Sequence, residues 1–344
     1  MSTEREIEIH PALEADLPSG ADLPSGADLP VNGVCAQAEQ LLAEIYDFGS
    51  EGARESLHEL LARFAAQAEQ SGSADDYHNL AVTLARRDEY ALACQALDCG
   101  LARFPKNVDL LADALEYGTR CGRLEACRRH CRTLCRIPRR RWTWRGFSFY
   151  IDYQLFLLDR TDTDAAIDAL AADMLAVAAD FARFFPYSEE PFRNEALVYA
   201  ALNEAQKEEE TLRRALASVR VAPKCALRYA DLLYDRGLYS QAAEAIARAL
   251  RDANRTQSSI REGYLYYLSG LCRFSAAQEA GSLQDLDESA AREIYSDFEL
   301  ALESFQDRQA SYAQVIREKT IALVRKSRIE VDPALERLCD CIAD

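Results

Sequence analysis

The stretch "YHNLAVTLARRDEYALACQALDCGLARFP", residues 77 to 105, decides the fold of this chain. Its apolar residues recur at intervals of three, four and seven, which places them on one face of an α-helix. Pro105 closes the stretch, because proline cannot continue a helix. One helical hairpin cannot bury its apolar face alone, so the stretch predicts a unit that stacks against similar neighbours.

The prolines inside the helical part of the chain are few, and their spacing is regular. Pro105 and Pro138 are 33 residues apart, and Pro191 and Pro223 are 32 residues apart. Because proline ends helices, this spacing indicates repeating units of about 34 residues, a period typical of helical hairpins.

A second stretch, "YADLLYDRGLYSQAAEAIARAL" at residues 229 to 250, repeats the pattern. Small residues stand at matching places, Ala81 in the first stretch and Ala230 in the second, where the two helices of a hairpin approach closely. Large residues such as Tyr77 and Tyr239 are expected to fill the gap between successive hairpins.

These positions resemble the signature of the tetratricopeptide-repeat family. The matching residues of the first stretch are Tyr77, Leu80, Ala81, Leu84, Tyr90, Ala93, Leu97, Gly100, Leu101 and Pro105. The resemblance implies an all-α fold, an alpha-alpha superhelix (solenoid) of about five to seven helical hairpins. It does not specify a ligand, so function has to be argued from particular residues.

The sequence divides into four parts. Residues 1–32 contain the tandem hexamer ADLPSG and predict a disordered acidic tail; the alternative is a recognition motif displayed in copies. We expect a capping helical hairpin over residues 33–72, repeats over 73–306 and C-terminal capping helices over 307–344.

The composition limits the class of protein. The net charge of −17 argues against general affinity for nucleic acid or anionic membranes. No apolar run approaches the ~20 residues that span a bilayer, and the first residues do not form a secretory signal. The eleven cysteines therefore favour reduced thiols in a cytoplasmic protein, and the abundant arginine and alanine favour a bacterial source.

One region departs from this acidic character. Residues 120–145 hold ten arginines and a single acid, Glu125, and both tryptophans lie at the end of this window. A helix predicted over residues 124–136 places three of the arginines one turn apart on one flank. Like charges at this spacing destabilise a helix by about 0.2–0.5 kcal/mol per pair. We therefore expect negatively charged groups outside the helix to offset this repulsion.

Two sources of negative charge remain open. Carboxylates of neighbouring helices, such as residues 164–180, would neutralise the arginines internally. Alternatively, the chain is a scaffold or adaptor that binds an acidic protein or peptide through its concave face and this region, since the guanidinium fork suits carboxylates and phosphates. The candidate partner-binding residues are Arg128, Arg132, Arg136, Arg139, Arg140, Arg141, Trp142, Trp144, Arg145, Tyr150 and Tyr153. A nucleic-acid-binding accessory subunit is the second interpretation of residues 120–145.

The sequence offers little for catalysis or metal binding. Four scattered histidines and the absence of known catalytic motifs predict a non-catalytic protein that needs no cofactor. Three thiols at positions 127, 131 and 135 extend over ~12 Å of helix axis, too far to share one metal ion. Cys339 and Cys341 could be redox-active or metal-binding, although an ordinary tail is favoured.

Overall fold

The computed structural model describes residues 31–71, 73–256, 262–281, 286, 288–304, 315–316 and 319. All of the regular structure in these ranges is helical, so the predicted all-α class is confirmed. The acidic hexamer tail, Cys339 and Cys341, and almost all of the C-terminal capping helices lie outside the described residues.

Fourteen α-helices occupy the described ranges. They are α1 (Val31–Phe48), α2 (Glu51–Ser71), α3 (Ala74–Ala85), α4 (Tyr90–Arg103), α5 (Val108–Arg120), α6 (Leu124–Cys135), α7 (Trp144–Leu158), α8 (Asp164–Phe184), α9 (Glu190–Ala201), α10 (Ala205–Ser218), α11 (Pro223–Asp235), α12 (Tyr239–Thr256), α13 (Glu262–Glu279) and α14 (Glu288–Ser304). A short 3-10 turn, Arg139–Arg141, lies between α6 and α7. None of the helices described combines the length and apolarity needed to cross a membrane.

The first compact unit contains α1 to α9. The helices pack in consecutive pairs, α1 with α2, α3 with α4, α5 with α6 and α7 with α8. The odd-numbered helices of the unit also pack on one another in sequence, from α1 through α3, α5 and α7 to α9. Each hairpin therefore covers the apolar face of the next, which is how repeats of this kind build a continuous core.

The signature residues have the roles expected of them in this unit. Ala81 is fully buried between the paired helices, and the ring of Tyr77 packs edge-on against Phe64 and Phe104, with ring centroids 5.4 and 6.3 Å apart. A Cβ atom at Gly100 would lie 2.8 Å from the Cβ of Tyr77. Only glycine therefore allows α4 to approach α3 this closely.

The second compact unit contains α10 to α14. Here α11 pairs with α12 and α13 with α14, while α10 packs on α11 and α12 on α13. Ala230 and Ala242 are fully buried, as their positions in the repeat predict. The side chain of Asp252 accepts a hydrogen bond from the backbone N–H of Ala222 at 3.2 Å, which joins the end of α12 to the start of α11.

Candidate functional site: the arginines of α6 and the following turn

The helix α6 carries its arginines on the side that faces solvent. Ala126, Cys127 and Leu134 are buried, and α6 packs on α5. The arginines at positions 128, 129, 132 and 136 are exposed because the 3.6-residue period turns them away from this contact. The arrangement agrees with the flank predicted from the sequence.

Arg139 in the following turn is neutralised within the fold. Its guanidinium donates to Asp180 Oδ2 at 3.0 Å and to Asp173 Oδ1 at 3.3 Å, both on α8. This residue fits the interpretation in which residues 164–180 supply the carboxylates. Arg139 therefore fixes the turn on α8.

Arg145, on α7, is held by a buried carboxylate. Its Nε donates to Asp113 Oδ1 at 3.1 Å, a second N–H of the guanidinium donates to the same oxygen, and Asp113 has no exposed surface. His78 contributes a third contact, with Nδ1 2.5 Å from Asp113 Oδ2. The guanidinium also lies over the rings of Trp144 and Phe149, 5.5 and 5.1 Å from their centroids. These contacts join α3, α5 and α7.

Sequence reasoning missed this network, although a signal was present. Asp113 stands between Ala112 and Ala114 on the stripe of α5 that the apolar period marks as buried. A buried carboxylate needs a charged or hydrogen-bonding partner. An acid in that position was therefore a sign that one of the nearby arginines is structural.

Arg128 has only a weak local partner. It forms an ion pair with Glu125 at 2.6 Å, but both side chains are more than half exposed. Exposed pairs of this kind contribute between about zero and 1 kcal/mol. The pair leaves Arg128 open to an outside carboxylate.

Arg120 and Arg123 are also paired, with Glu116 and Asp98. The other five arginines of residues 120–145 form no ion pair with any described residue, and we call them the arginine surface. They are Arg129, Arg132, Arg136, Arg140 and Arg141, all of them exposed. Four of the five belong to the predicted binding set, and Arg129 is an addition to it. Their side chains are exposed along α6 and the turn that follows it.

Three of the four candidate aromatic residues are buried. Trp142 is 5% exposed, and its indole N–H donates to the backbone oxygen of Ile137 at 3.0 Å. Tyr150 donates to Asp173 Oδ2 at 2.5 Å, and Tyr153 packs in the same core. They hold the hairpin together rather than presenting stacking surfaces, because an aromatic residue at the start of a repeat packs against the neighbouring one.

Trp144 differs from these three residues. It is 44% exposed at the first position of α7, just after the turn that carries Arg140 and Arg141. The side chain of Thr143 caps this helix by accepting a hydrogen bond from the N–H of Gly146 at 3.2 Å. Helix α7 therefore begins at Trp144, and the exposed indole projects from its capped first turn.

A pair of thiols borders the arginine surface on α6. The pKa of the exposed Cys135 thiol is lowered to about 7, chiefly by the hydrogen bond from Cys131, while burial opposes the shift and Arg139 supports it. The pKa of Cys131 is raised by the same hydrogen bond and by burial. No three histidine, cysteine, aspartate or glutamate side chains converge as a metal-binding group within the ranges that the structure covers.

Asp152 on α7 is the most perturbed carboxyl of the first unit. Burial raises its pKa to about 7; Arg193 opposes the shift, and the nearby acids Glu116 and Glu190 add to it. A group whose pKa is raised by folding binds its proton more tightly in the folded state. Asp152 therefore lowers the free energy of unfolding as the pH rises from about 4, where an unfolded aspartate ionises, to about 7, where the folded one does.

Replacing Asp152 by asparagine is expected to stabilise the protein at high pH. At pH 8 we expect the free energy of unfolding to increase by about 1–3 kcal/mol, because the variant has no carboxylate to desolvate. The gain should fall to about 0.5 kcal/mol or less near pH 4, where the folded carboxyl is neutral and the unfolded one is about half ionised. Thermal unfolding between pH 4 and 8 measures the difference, with Asp159→Asn at the exposed end of α7 as the control. A gain that does not depend on pH would contradict the assignment.

Comparisons with known proteins bear on the fold. No family model matches the chain, and no curated protein matches it. A tetratricopeptide-repeat protein from Parabacteroides merdae aligns at 16% identity over 84% of this chain and 99% of its own, with a TM-score of 0.48. A thermophilic protein of the same type from Thermus thermophilus aligns at 22% identity. The alignment covers 54% of this chain and 94% of that protein, with a TM-score of 0.45.

A third solved structure is the APC/C hetero-tetramer Cut9–Hcn1, at 13% identity over 90% of this chain and 59% of that chain, with a TM-score of 0.48. The fold itself rests on the features described above: paired helices, small residues between them, and a first-helix aromatic packed into the next contact. By these features the described part of the chain has an all-helical fold that resembles the tetratricopeptide-repeat family.

Proposed function

We propose that this protein is a non-catalytic scaffold or adaptor whose arginine surface binds an acidic protein or peptide. The observation that carries the proposal is the set of exposed guanidinium groups on α6 and the following turn that have no carboxylate partner among the described residues. Neighbouring arginines in the same window do have such partners, so the unpaired ones are set apart.

The chemistry of these groups favours carboxylates arranged along a partner segment. Arg132 and Arg136 lie one turn apart, ~6 Å along the axis of α6, and Arg140 and Arg141 follow in the 3-10 turn after its end. Each planar guanidinium can hold a carboxylate through two parallel hydrogen bonds. Because the groups are exposed, they would raise the association rate and select the partner more than they would add affinity.

Trp144 supplies an aromatic contact close to this row. An exposed indole fixed to a helix loses little side-chain entropy on binding, which is why tryptophan is common among the residues that dominate interface energies. We propose that the partner contacts the row and Trp144 together and also contacts the odd-numbered helices of the first unit, since repeats of this kind offer an extended concave surface.

Reversing charges on the arginine surface is expected to abolish binding and leave the fold intact. The variant changes Arg136, Arg140 and Arg141 to glutamate and spares Arg139, which pairs with Asp173 and Asp180. We expect a loss of at least about 30-fold in affinity for a labelled polyglutamate peptide, measured by fluorescence anisotropy at low salt. The melting temperature should change by less than about 2 °C, since exposed residues away from specific contacts contribute little.

A matched control separates local from overall charge. Three exposed arginines elsewhere, Arg63, Arg220 and Arg251, are changed to glutamate with the same change in net charge. This control should keep most of the binding seen with the unchanged protein. Equal losses in the two variants would show that only the net charge matters and would overturn the proposed site.

The second candidate function is a nucleic-acid-binding accessory subunit that uses the same residues. The favourable observation is that unpaired guanidinium groups suit phosphates as well as carboxylates. A surface of five arginines is short for a nucleic-acid track, and the net charge of −17 repels polyanions. A mobility shift with RNA or DNA at low salt that disappears in the triple variant would establish this function in place of the first.

A further inference from the structure

Two cysteines lie close together where successive hairpins meet. Cys94 is near the start of α4, Cys121 follows the last residue of α5, and their Sγ atoms are 3.7 Å apart. The two residues are 27 positions apart in sequence, so the fold and not local geometry brings them together.

We propose that Cys94 and Cys121 form a reversible disulfide that links the hairpin of α3 and α4 to that of α5 and α6. A disulfide needs a sulfur–sulfur distance of about 2.05 Å, so the two atoms must approach by roughly 1.7 Å. Rotation about the Cα–Cβ bond of each cysteine is the movement that brings the two sulfurs together. The proposal does not depend on the binding partner of the arginine surface.

The two thiols differ in a way that suits a two-step reaction. Cys94 is 3% exposed, whereas Cys121 is partly exposed at the end of its helix. Gly122 follows Cys121 with φ +75°, a left-handed conformation. Apart from its neighbours in the chain, no residue comes within 4 Å of the position that a Cβ atom of Gly122 would occupy. An oxidant from solution therefore reaches Cys121 first, and Cys94 is the adjacent thiol that resolves the product.

The oxidant in this reaction is a small disulfide such as oxidised glutathione. The thiolate of Cys121 attacks one sulfur of that disulfide, which forms a mixed disulfide and releases one thiolate. The thiol of Cys94 then loses its proton and attacks Cys121 Sγ, which releases the second thiolate. Two protein thiols are oxidised and one small disulfide is reduced to two thiols.

The surroundings of Cys94 bear on the second step. Burial raises its pKa to about 12, and the nearby thiol of Cys121 adds to this, while Arg123 acts in the opposite direction. Arg123 is itself held by Asp98 at 2.6 Å. The guanidinium lies where it stabilises the negative charge that forms on Cys94 as the proton leaves.

The test uses the full chain, reduced and then incubated with oxidised glutathione at neutral pH. Remaining thiols are alkylated in denaturant, and the digested protein is analysed by mass spectrometry. We expect a disulfide between the peptides that contain Cys94 and Cys121, and a melting temperature raised by about 5 °C that returns on reduction, because the bond restrains the unfolded chain. Cys94→Ser should instead retain one glutathione on Cys121.

The control is Cys127→Ser, since the sulfur of Cys127 is buried and its hydrogen-bond contacts are with the hydroxyl of Thr119 and the backbone oxygens of Ala114 and Leu115. It should form the disulfide as the unchanged protein does. Recovery of Cys94 and Cys121 both fully alkylated, or disulfides only between other cysteines such as Cys131 and Cys135, would overturn the proposal.

Discussion

Replacing Asp113 by alanine is expected to lower the free energy of unfolding by about 3–5 kcal/mol, because it leaves the guanidinium of Arg145 without its partner in a largely buried site. The carboxylate of Asp113 has no exposed surface and binds both Arg145 and His78. Removing one partner of a buried pair costs more than the pair contributes, since the other charge stays desolvated. Urea unfolding monitored by circular dichroism measures the loss.

Two further variants test the reason for that loss. Asp98→Ala removes the partner of Arg123. The side chains of Arg123 and Asp98 are each more than a third exposed, so the change should cost less than about 1 kcal/mol. The double change Asp113→Ala with Arg145→Met removes both charges and should recover part of the stability lost in the single variant. A double variant as unstable as the sum of its two single variants would contradict the explanation.

Replacing Phe147 by alanine is expected to be equally severe, with a loss of about 3–5 kcal/mol. Its ring is fully buried and stacked on Phe181, with centroids 4.8 Å apart and planes 9° from parallel. Trp142 and Phe185 pack against the same ring at 5.2 and 6.1 Å. The truncation leaves a cavity among rigid aromatic rings, which cannot collapse to fill it.

The measurement for Phe147 is thermal and urea unfolding of the full chain. The control is Tyr187→Ala, since Tyr187 is 92% exposed in the turn before α9 and should change stability by less than about 0.5 kcal/mol. Near-ultraviolet circular dichroism should also lose the signal of Trp142 in the Phe147 variant. A small loss of stability in that variant would mean that the aromatic cluster does not hold α7 to α8.

The hairpin repeat could be predicted because its causes are local. The positions of Ala81 and Tyr77 already indicate which contact is close and which gap is filled, and the structure places both as expected. Helix ends were harder to predict. The chain needs a short 3-10 turn and the Thr143 cap before α7 can begin, and neither leaves a periodic pattern.

The candidate site could be predicted only as a region. The sequence singled out residues 120–145, but it gave no way to separate Arg139 from its neighbours Arg140 and Arg141. The separation depends on Asp173 and Asp180, more than thirty residues away on α8. It likewise could not tell the buried Trp142 from the exposed Trp144, two positions later.

The sequence by itself determined the helical hairpins, their period and the concentration of arginine in one window. It did so because apolar spacing and proline act on residues that are near neighbours in the chain. Only the tertiary structure decided which guanidinium groups are matched by carboxylates and which thiols meet. Those outcomes depend on which helix packs against which. The residues next to an arginine or a cysteine in the sequence do not identify its partner on another helix.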